Sequence, residues 1–515
     1  MKKMNLLAMS LVSAAALSFS SCSSNDDLGG GAGTQSQVKG FYMTLAVQTP
    51  TSNGTRTAIG ENKEDATAVE AAVKNGTFYL VDANGSVVFS KTLTGQDWSG
   101  AINDPATAKK DGKTTLKIEV ENVAAGATYK VYFKAGSTGM DTVEPFTIAT
   151  GTSKAGVFTA DGITQTFSAT SGFAKPCAVD NDFSMFNQND ATTNGNGYTV
   201  EFTNQNKEGA DGFKPAEVKY EGKTAPIKIE RVTARVDVPT SASTLTKETL
   251  PADASAALKK AVEDAKKKVT KIELVQYALS NVTNKTYVMQ NWNKAESGWS
   301  LLIPGDATLS QTKTDFGEKY LFKDGGFKAL TGATNDYIFE NNKSDATAMY
   351  FEYKVTLDGT KFEGTADFTD GTFYRYNNVI YTSFAQILKA YADVAGLFDS
   401  KNATDLQKEL DKAKTVETGE GAKTVETKLS EFRAKYGIEV FNKGLTYYKQ
   451  VITDNQLGKD VIQRNTIYRL NVNKIFNVGA QVPNGEIDKN GLFYLDVTVT
   501  VNPWVLNTQN VSLGD

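Results

Sequence analysis

Apolar and polar residues alternate in run after run of this chain, and a period of two fits half-buried strands rather than helices. The pattern opens the body at 41–48, where Phe41, Met43, Leu45 and Val47 fall on one face and Tyr42, Thr44, Ala46 and Gln48 on the other. It returns at the end of the chain, where Phe493, Leu495, Val497, Val499 and Val501 alternate with Tyr494, Asp496, Thr498 and Thr500. Pro503 breaks that run, and Trp504 starts a second short extended piece. Between the two ends, Phe78–Val81 and Val87–Phe89 flank Asp82-Ala83-Asn84-Gly85 and read as a hairpin with Asn-Gly at its turn. Asp82 and Asn84 hint at a calcium loop, but the remaining ligands of such a loop are missing, which favours the turn. Further strands are expected at Leu116–Val120, Tyr129–Phe133, Ile227–Val238, Ile272–Leu279, Tyr287–Met289, Met349–Leu357 and Arg464–Val472.

Helical spacing is confined to three places. Residues 252–268 end in lysines, which suit the negative end of a helix dipole. Phe384, Ile387, Leu388, Tyr391, Val394 and Ala395 give an amphipathic helix over Ser383–Gly396, opened by Thr382 or Ser383. Its aromatic stripe reads as core rather than as a ligand platform. A charged helical insertion covers about 403–436. Residues 134–200, rich in Gly, Thr, Asn and Asp, read as long surface loops with apolar islands at Phe173 and Met185-Phe186. No role is expected for Cys177 within them.

Composition narrows the chemistry. The 515 residues contain no histidine, which removes His-based triads and His-ligated zinc together. The two cysteines, Cys22 and Cys177, provide neither a disulfide framework nor a thiolate metal site. A net charge of −4 offers no basic field for nucleic acid. A carboxylate-only enzyme such as a glycosidase stays open, although no paired-carboxylate motif stands out.

The N-terminal end carries two processing signals. Lys2 and Lys3 precede a short apolar core at Leu6–Leu17, too short to span a bilayer, so 1–21 reads as a signal peptide. It ends in Phe19-Ser20-Ser21-Cys22, which resembles the lipobox of bacterial lipoproteins, with Phe19 where Leu is commoner. That resemblance implies cleavage before Cys22 and acylation of Cys22. The competing reading is a plain secretory signal with an incidental cysteine. Ser23-Ser24-Asn25-Asp26-Asp27 resembles the signal that sends Bacteroidetes lipoproteins to the outer face of the outer membrane. Farther on, Arg56 is the first arginine in the chain and Arg231 the next. It follows Pro50, Ser52, Asn53 and Gly54, which favour an accessible, extended stretch. An arginine-specific protease would therefore meet one site before residue 231, just after a detachable strand. The ordinary alternative is a first strand followed by an exposed loop.

Taken together, the two ends suggest exchange. Removing Phe41, Met43, Leu45 and Val47 would open an apolar slot, and the tail of a second copy could fill it by β-augmentation. Such a contact is head-to-tail and does not close, so it would generate a filament. The lipoprotein signal, Arg56, the RVTARVDV run at 231–238, the LVQYALSNVTNKTY run at 274–287, RNTIYRLNVNKI at 464–475 and LDVTVTVNPW at 495–504 all resemble Bacteroidales fimbrillins of the type V pilus. Among these the similarity is greatest to the major subunit of the Porphyromonas minor, or short, fimbriae.

The resemblance implies a mainly β protein of two tandem transthyretin-like β-sandwiches with a few short helices. The expected organisation is a signal peptide at 1–21, a lipidated propeptide with the removable strand at 22–56, an N-terminal sandwich at 57–226, a C-terminal sandwich with helical insertions at 227–490, and a donor-strand tail at 491–515. It implies cleavage between Arg56 and Thr57, and a donor strand of Phe493, Leu495, Val497, Val499, Val501 and Trp504. No catalytic residue, cofactor or metal is expected. Implied partners are other copies of the chain, accessory anchor and tip fimbrial proteins, an arginine-specific protease, and host or bacterial surface receptors. The precursor would sit in the outer membrane as a lipoprotein and the product in a surface fimbrium serving adhesion, coaggregation and biofilm formation. The other class considered is a monomeric glycan-binding surface lipoprotein, which would need no cut at Arg56.

Overall fold

The computed structural model describes residues 40–48, 67–71, 73, 75–93, 113–136, 166–168, 174, 177–178, 180, 182–189, 195–250, 252–295, 298–309, 326–363, 370–454, 457–483 and 495–503. All of them belong to the unit Gly40–Asp515. The fold is mainly β, as the alternation leads one to expect.

In chain order the first half contains β1 (Phe41–Gln48), the one-turn helix α1 (Ala68–Ala71), β2 (Gly76–Val81), β3 (Val87–Leu93), β4 (Lys113–Val120), β5 (Thr128–Ala135), β6 (Met185–Asn187), β7 (Tyr198–Glu201), β8 (Ala216–Glu217) and β9 (Ile227–Arg231). These form one sheet in the order β7-β5-β6-β9-β1-β4, with β2 on β5, β3 on β2 and β8 on β1. The β2–β3 turn closes as the sequence suggests. Gly85 takes φ 78°, a value glycine adopts freely, and Asp82 Oδ1 accepts from the backbone N–H groups of Asn84 and Ser86. Asp82 thus spends its carboxylate on the turn. Buried side chains from both parts of the sheet share one core: Met43, Leu45, Val47, Ile118 and Val120 with Phe78, Val131, Phe133, Val200 and Ile229.

The second half contains β10 (Ala234–Val236), β11 (Thr240–Ser241), α2 (Ala256–Lys268), β12 (Val269–Ser280), β13 (Asp336–Ile338), β14 (Ala348–Leu357), β15 (Phe373–Tyr376), β16 (Val379–Tyr381), α3 (Phe384–Ala390), α4 (Ala403–Lys414), α5 (Val425–Tyr436), β17 (Glu439–Phe441), β18 (Leu445–Val451), β19 (Thr466–Ile475) and β20 (Leu495–Pro503). One sheet runs β11-β19-β10-β13 with β20 on β19, and another contains β12-β14-β18. They face each other across a shared core: Val236, Ile338, Tyr468 and Leu470 meet Ile272, Tyr277, Phe351, Tyr353 and Tyr448. Each helix opens on a side-chain cap, Ser255 for α2, Ser383 for α3, Asn402 for α4 and Thr424 for α5. The three helices α3, α4 and α5 bury Phe384, Ile387, Leu406, Leu410, Leu429 and Phe432 in a core of their own with Tyr374 and Val440.

Three expectations need correction. Ile227–Val238 is not one strand: it breaks at Val232-Thr233 into β9 and β10, which join different sheets. Val232 through Val236 are all buried, so here apolar alternation marks a crossing between sheets rather than a ladder. Residues 134–200 are not all surface loop. Phe183, Met185 and Phe186 are fully buried, and β6 fills the centre of its sheet between β5 and β9. Three residues are too few to show a period. Finally, the helix at Ser383 stops at Ala390, where Tyr391 leaves helical geometry (φ −124°), and Val394 is left exposed.

Candidate strand-exchange site

β1 is an interior strand with partners along both edges. On one side it pairs antiparallel with β4 over its whole length, from Phe41 opposite Val120 to Gln48 opposite Lys113. On the other it runs parallel to two short strands, Val47 opposite Ile227 on β9 and Met43 opposite Ala216 on β8. Met43, Leu45 and Val47 have no solvent exposure, and Phe41 is half-buried. Phe41 packs edge-on to Phe202 at 5.6 Å with Lys207 Nζ 4.8 Å from its ring.

The outer face of β1 is held too. Tyr42 donates its hydroxyl to Glu208 Oε2 at 3.3 Å, lies edge-on to Phe213 and carries Lys117 Nζ 4.4 Å from its ring centre. Burial and the nearby carboxylates of Glu119 and Glu208 raise the Tyr42 pKa, so it stays a donor. Burying the three apolar residues contributes about 1.5–3 kcal/mol each.

That connection runs through 49–66, which contains Arg56 and Thr57 and lies outside the described residues. The chain is caught again at α1, where the Glu70 carboxylate accepts from both Arg235 Nη1 (2.9 and 3.0 Å) and Tyr337 Oη (2.9 Å). The Glu70 carbonyl takes Arg231 Nε at 2.9 Å, and Arg231 Nη1 donates to Asn465 Oδ1 at 3.0 Å. Asp237 bridges Arg235 (2.6 Å) and Arg469 (2.6 Å). Burial pushes the Glu70 pKa up, but Arg235, Arg231 and the Thr67 N–H outweigh it and leave the carboxylate below its usual range. This cluster ties the segment behind Arg56 to β9, β10 and β19, at the place where the chain crosses between sheets. Sequence reasoning missed it; the one signal was a pair of arginines inside an apolar run.

The tail residues fall as follows. Leu495, Val497, Val499 and Val501 lie in β20, antiparallel to β19 of the same chain, opposite Ile475, Val472, Leu470 and Tyr468. β20 has a strand partner on one edge among the described residues, whereas β1 has them on two. Phe493, Trp504 and Cys22 lie outside the described residues. Cys177 is buried, and burial pushes its thiol up to about 12, which leaves it inert.

Residues 439–510 match the family model for major fimbrial subunit protein type IV, fimbrillin, C-terminal. That segment is similar to the C-terminal part of fimbrillins, the family that the order of the chain's motifs resembles. No curated protein matches the chain. Similar solved structures include a cell adhesion protein from Parabacteroides distasonis, 15% identical, covering 91% of this chain and 98% of its own with a TM-score of 0.42. A fimbrilin from Porphyromonas gingivalis is 14% identical, with 92% and 99% covered and a TM-score of 0.41. The tip fimbrial protein Mfa3 of the same organism is 12% identical, with 90% and 99% covered and a TM-score of 0.28.

Proposed function

We propose that this chain is the structural subunit of a surface adhesive fimbrium, exported as a lipoprotein on Cys22, cut between Arg56 and Thr57 and polymerised head-to-tail by strand exchange. The observation that carries the proposal is the contrast between the two terminal strands: among the described residues β1 fills an apolar slot with ladders on both sides, and β20 rests on one neighbour. A tail moving from an edge into a two-sided slot gains main-chain hydrogen bonds worth about 0.5–1.5 kcal/mol each. Before the cut β1 occupies the slot as a tethered, intramolecular competitor. After it β1 competes as a separate peptide, and its hold weakens by the loss of effective concentration. The Glu70 cluster meanwhile keeps the downstream side of the cut attached to the body.

The partners that go with this reading are other copies of the chain, tip and anchor fimbrial proteins, an arginine-specific protease, and the surface receptors that adhesion requires. The pairing of β20 with its own β19 also suits a second reading, a monomeric glycan-binding lipoprotein. Treating purified precursor with an arginine-specific protease and imaging the product by electron microscopy separates the two. Filaments are expected from the full chain, and none from a chain truncated after Leu492, which should nevertheless melt cooperatively. A truncated chain that loses its cooperative transition, or a full chain that stays monomeric after the cut, refutes strand donation.

A further inference from the structure

The tail aligns with β1 at three identical and two similar apolar positions out of eight. Residues 41–48 read FYMTLAVQ and residues 493–500 read FYLDVTVT. Phenylalanine, tyrosine and the last valine are identical, and Met43 and Leu45 correspond to Leu495 and Val497, apolar residues of equal or smaller size. The likeness covers both faces: Tyr494 falls where Tyr42 meets Glu208, Phe213 and the Lys117 ammonium. One substitution introduces a charge. Asp496 stands where β1 has Thr44, and Thr44 lies opposite Lys117 on β4.

We infer that the tail of a second copy enters the β1 slot in a single register, with Leu495, Val497 and Val499 in the places of Met43, Leu45 and Val47, and that Asp496 opposite Lys117 fixes it. This rests on the strand-exchange reading above. The competing registers are few. A slip of one residue turns the valines to solvent. A slip of two keeps them buried but sets Asp496 opposite Glu119 in one direction, two like charges directly across a ladder, or opposite Thr115 in the other. The other flank of the position is Glu217 on β8, whose carboxylate accepts from Thr224 Oγ1 at 2.6 Å. Asp496 would thus have the Lys117 cation across the antiparallel ladder and the Glu217 carboxylate across the parallel one, whereas the slip onto Glu119 loses the cation. In its own chain Asp496 is already opposite a lysine, Lys474 on β19. The Lys474 ammonium pairs with Glu248 Oε2 at 2.8 Å, and β1 brings no charge to the corresponding position of the slot. Asp496 is thus a specificity-determining residue that the propeptide strand lacks.

Cysteine pairs in the full-length precursor read the register directly. After the cut and mild oxidation, Thr115→Cys with Thr498→Cys, which leaves Asp496 and Lys117 in place, should give a ladder of disulfide-linked oligomers on a non-reducing gel, because Thr498 would take the place of Ala46 opposite Thr115. Lys113→Cys with Thr498→Cys, on the same face two residues away, should stay monomeric on that gel. Lys474→Cys with Asp496→Cys should lock the tail at home and block filaments. Cys177, buried with a raised thiol pKa, does not compete. As a check free of cysteines, Lys117→Glu should slow filament growth about two- to five-fold, and Lys117→Glu with Asp496→Lys should restore it. A ladder from the Lys113 pair, or normal filaments with no ladder from the Thr115 pair, overturns the register and leaves strand exchange standing. So does charge reversal without rescue by the double change. Wild-type precursor that yields no filaments after the cut overturns the underlying reading instead.

Discussion

Leu45→Ala probes how β1 holds its place. Leu45 is fully buried between Met43 and Val47, opposite Leu116 on β4, in the core that includes Phe78, Val131 and Ile118. Truncating a buried leucine costs about 2–5 kcal/mol, the lost transfer energy plus the cavity left behind. In the intact precursor that cost falls on the stability of the fold. Once the chain is cut, it falls on the affinity of the β1 peptide for its slot. A tenfold change corresponds to about 1.4 kcal/mol, so the cut peptide should bind roughly 30- to several-thousand-fold more weakly, and most of such a change usually appears in the off-rate. The assay is to cleave wild type and variant alike and follow two signals: release of the fragment ending at Arg56, by mass spectrometry of the supernatant, and filament growth, by light scattering. Where fragment release limits growth, the variant should shed its fragment and assemble faster. A melt of the uncut variant controls for misfolding. Faster release without faster growth would show that β1 does not guard the polymerisation slot. Unchanged release from a folded variant would refute the assigned role of Leu45.

Two further predictions follow from the same geometry. Arg56→Ala should leave a folded precursor that stays monomeric in the presence of the protease, since the next arginine, Arg231, is fully buried; filaments at wild-type yield would refute the cut as the trigger. Glu70→Gln should destabilise the body by about 1–3 kcal/mol at neutral pH, because Arg235 keeps Asp237 but loses a charged acceptor. The folded Glu70 pKa is lowered, so its contribution is present above the ordinary glutamate value near 4.3 and is lost as pH falls through the lower folded value. Denaturant melts of wild type and variant should therefore converge in acid; a stability difference that is independent of pH would refute the ion-pair account.

How much of this was legible in the sequence depended on the length of each pattern. β1, β14 and β19 each bury several alternate positions, and the strands are long enough for the period to emerge. β8 is two residues and β6 three, so neither shows a period, although β6 lies between β5 and β9 and β8 flanks β1. β6 depends on a polar side chain: Asn187 Oδ1 accepts the Phe133 N–H at 2.7 Å and its Nδ2 donates to the Val131 carbonyl at 2.9 Å. An asparagine in a Gly- and Asn-rich stretch looks like turn chemistry until β5 supplies the partner. The run 227–238 deceived in the opposite way, because burial on every side at a crossing between sheets gives the same letters as a long strand.

The missed residues share one property: their partners are far away in sequence. Glu70 is 165 residues from Arg235 and Glu340 is 124 from Arg464, the pair being wholly buried at 2.8 Å. A local pattern cannot show such a pairing, and an arginine read alone looks like surface. The apolar slot, in contrast, is announced twice, once by the strand that fills it and once by the tail that copies that strand. Evolution of a donor strand has to preserve the letters that fit a groove built by other residues. The two stretches share three of eight residues, Phe, Tyr and Val, and the strand-exchange proposal gives that likeness one cause, a shared binding place. The matching Tyr42 and Tyr494 sharpen the argument, because a core alone would require only the apolar face to match. A tail serving merely as the edge of its own sheet would need the alternation but not the tyrosine, and replacing Tyr494 with Ser should then leave filament growth unchanged rather than slow it.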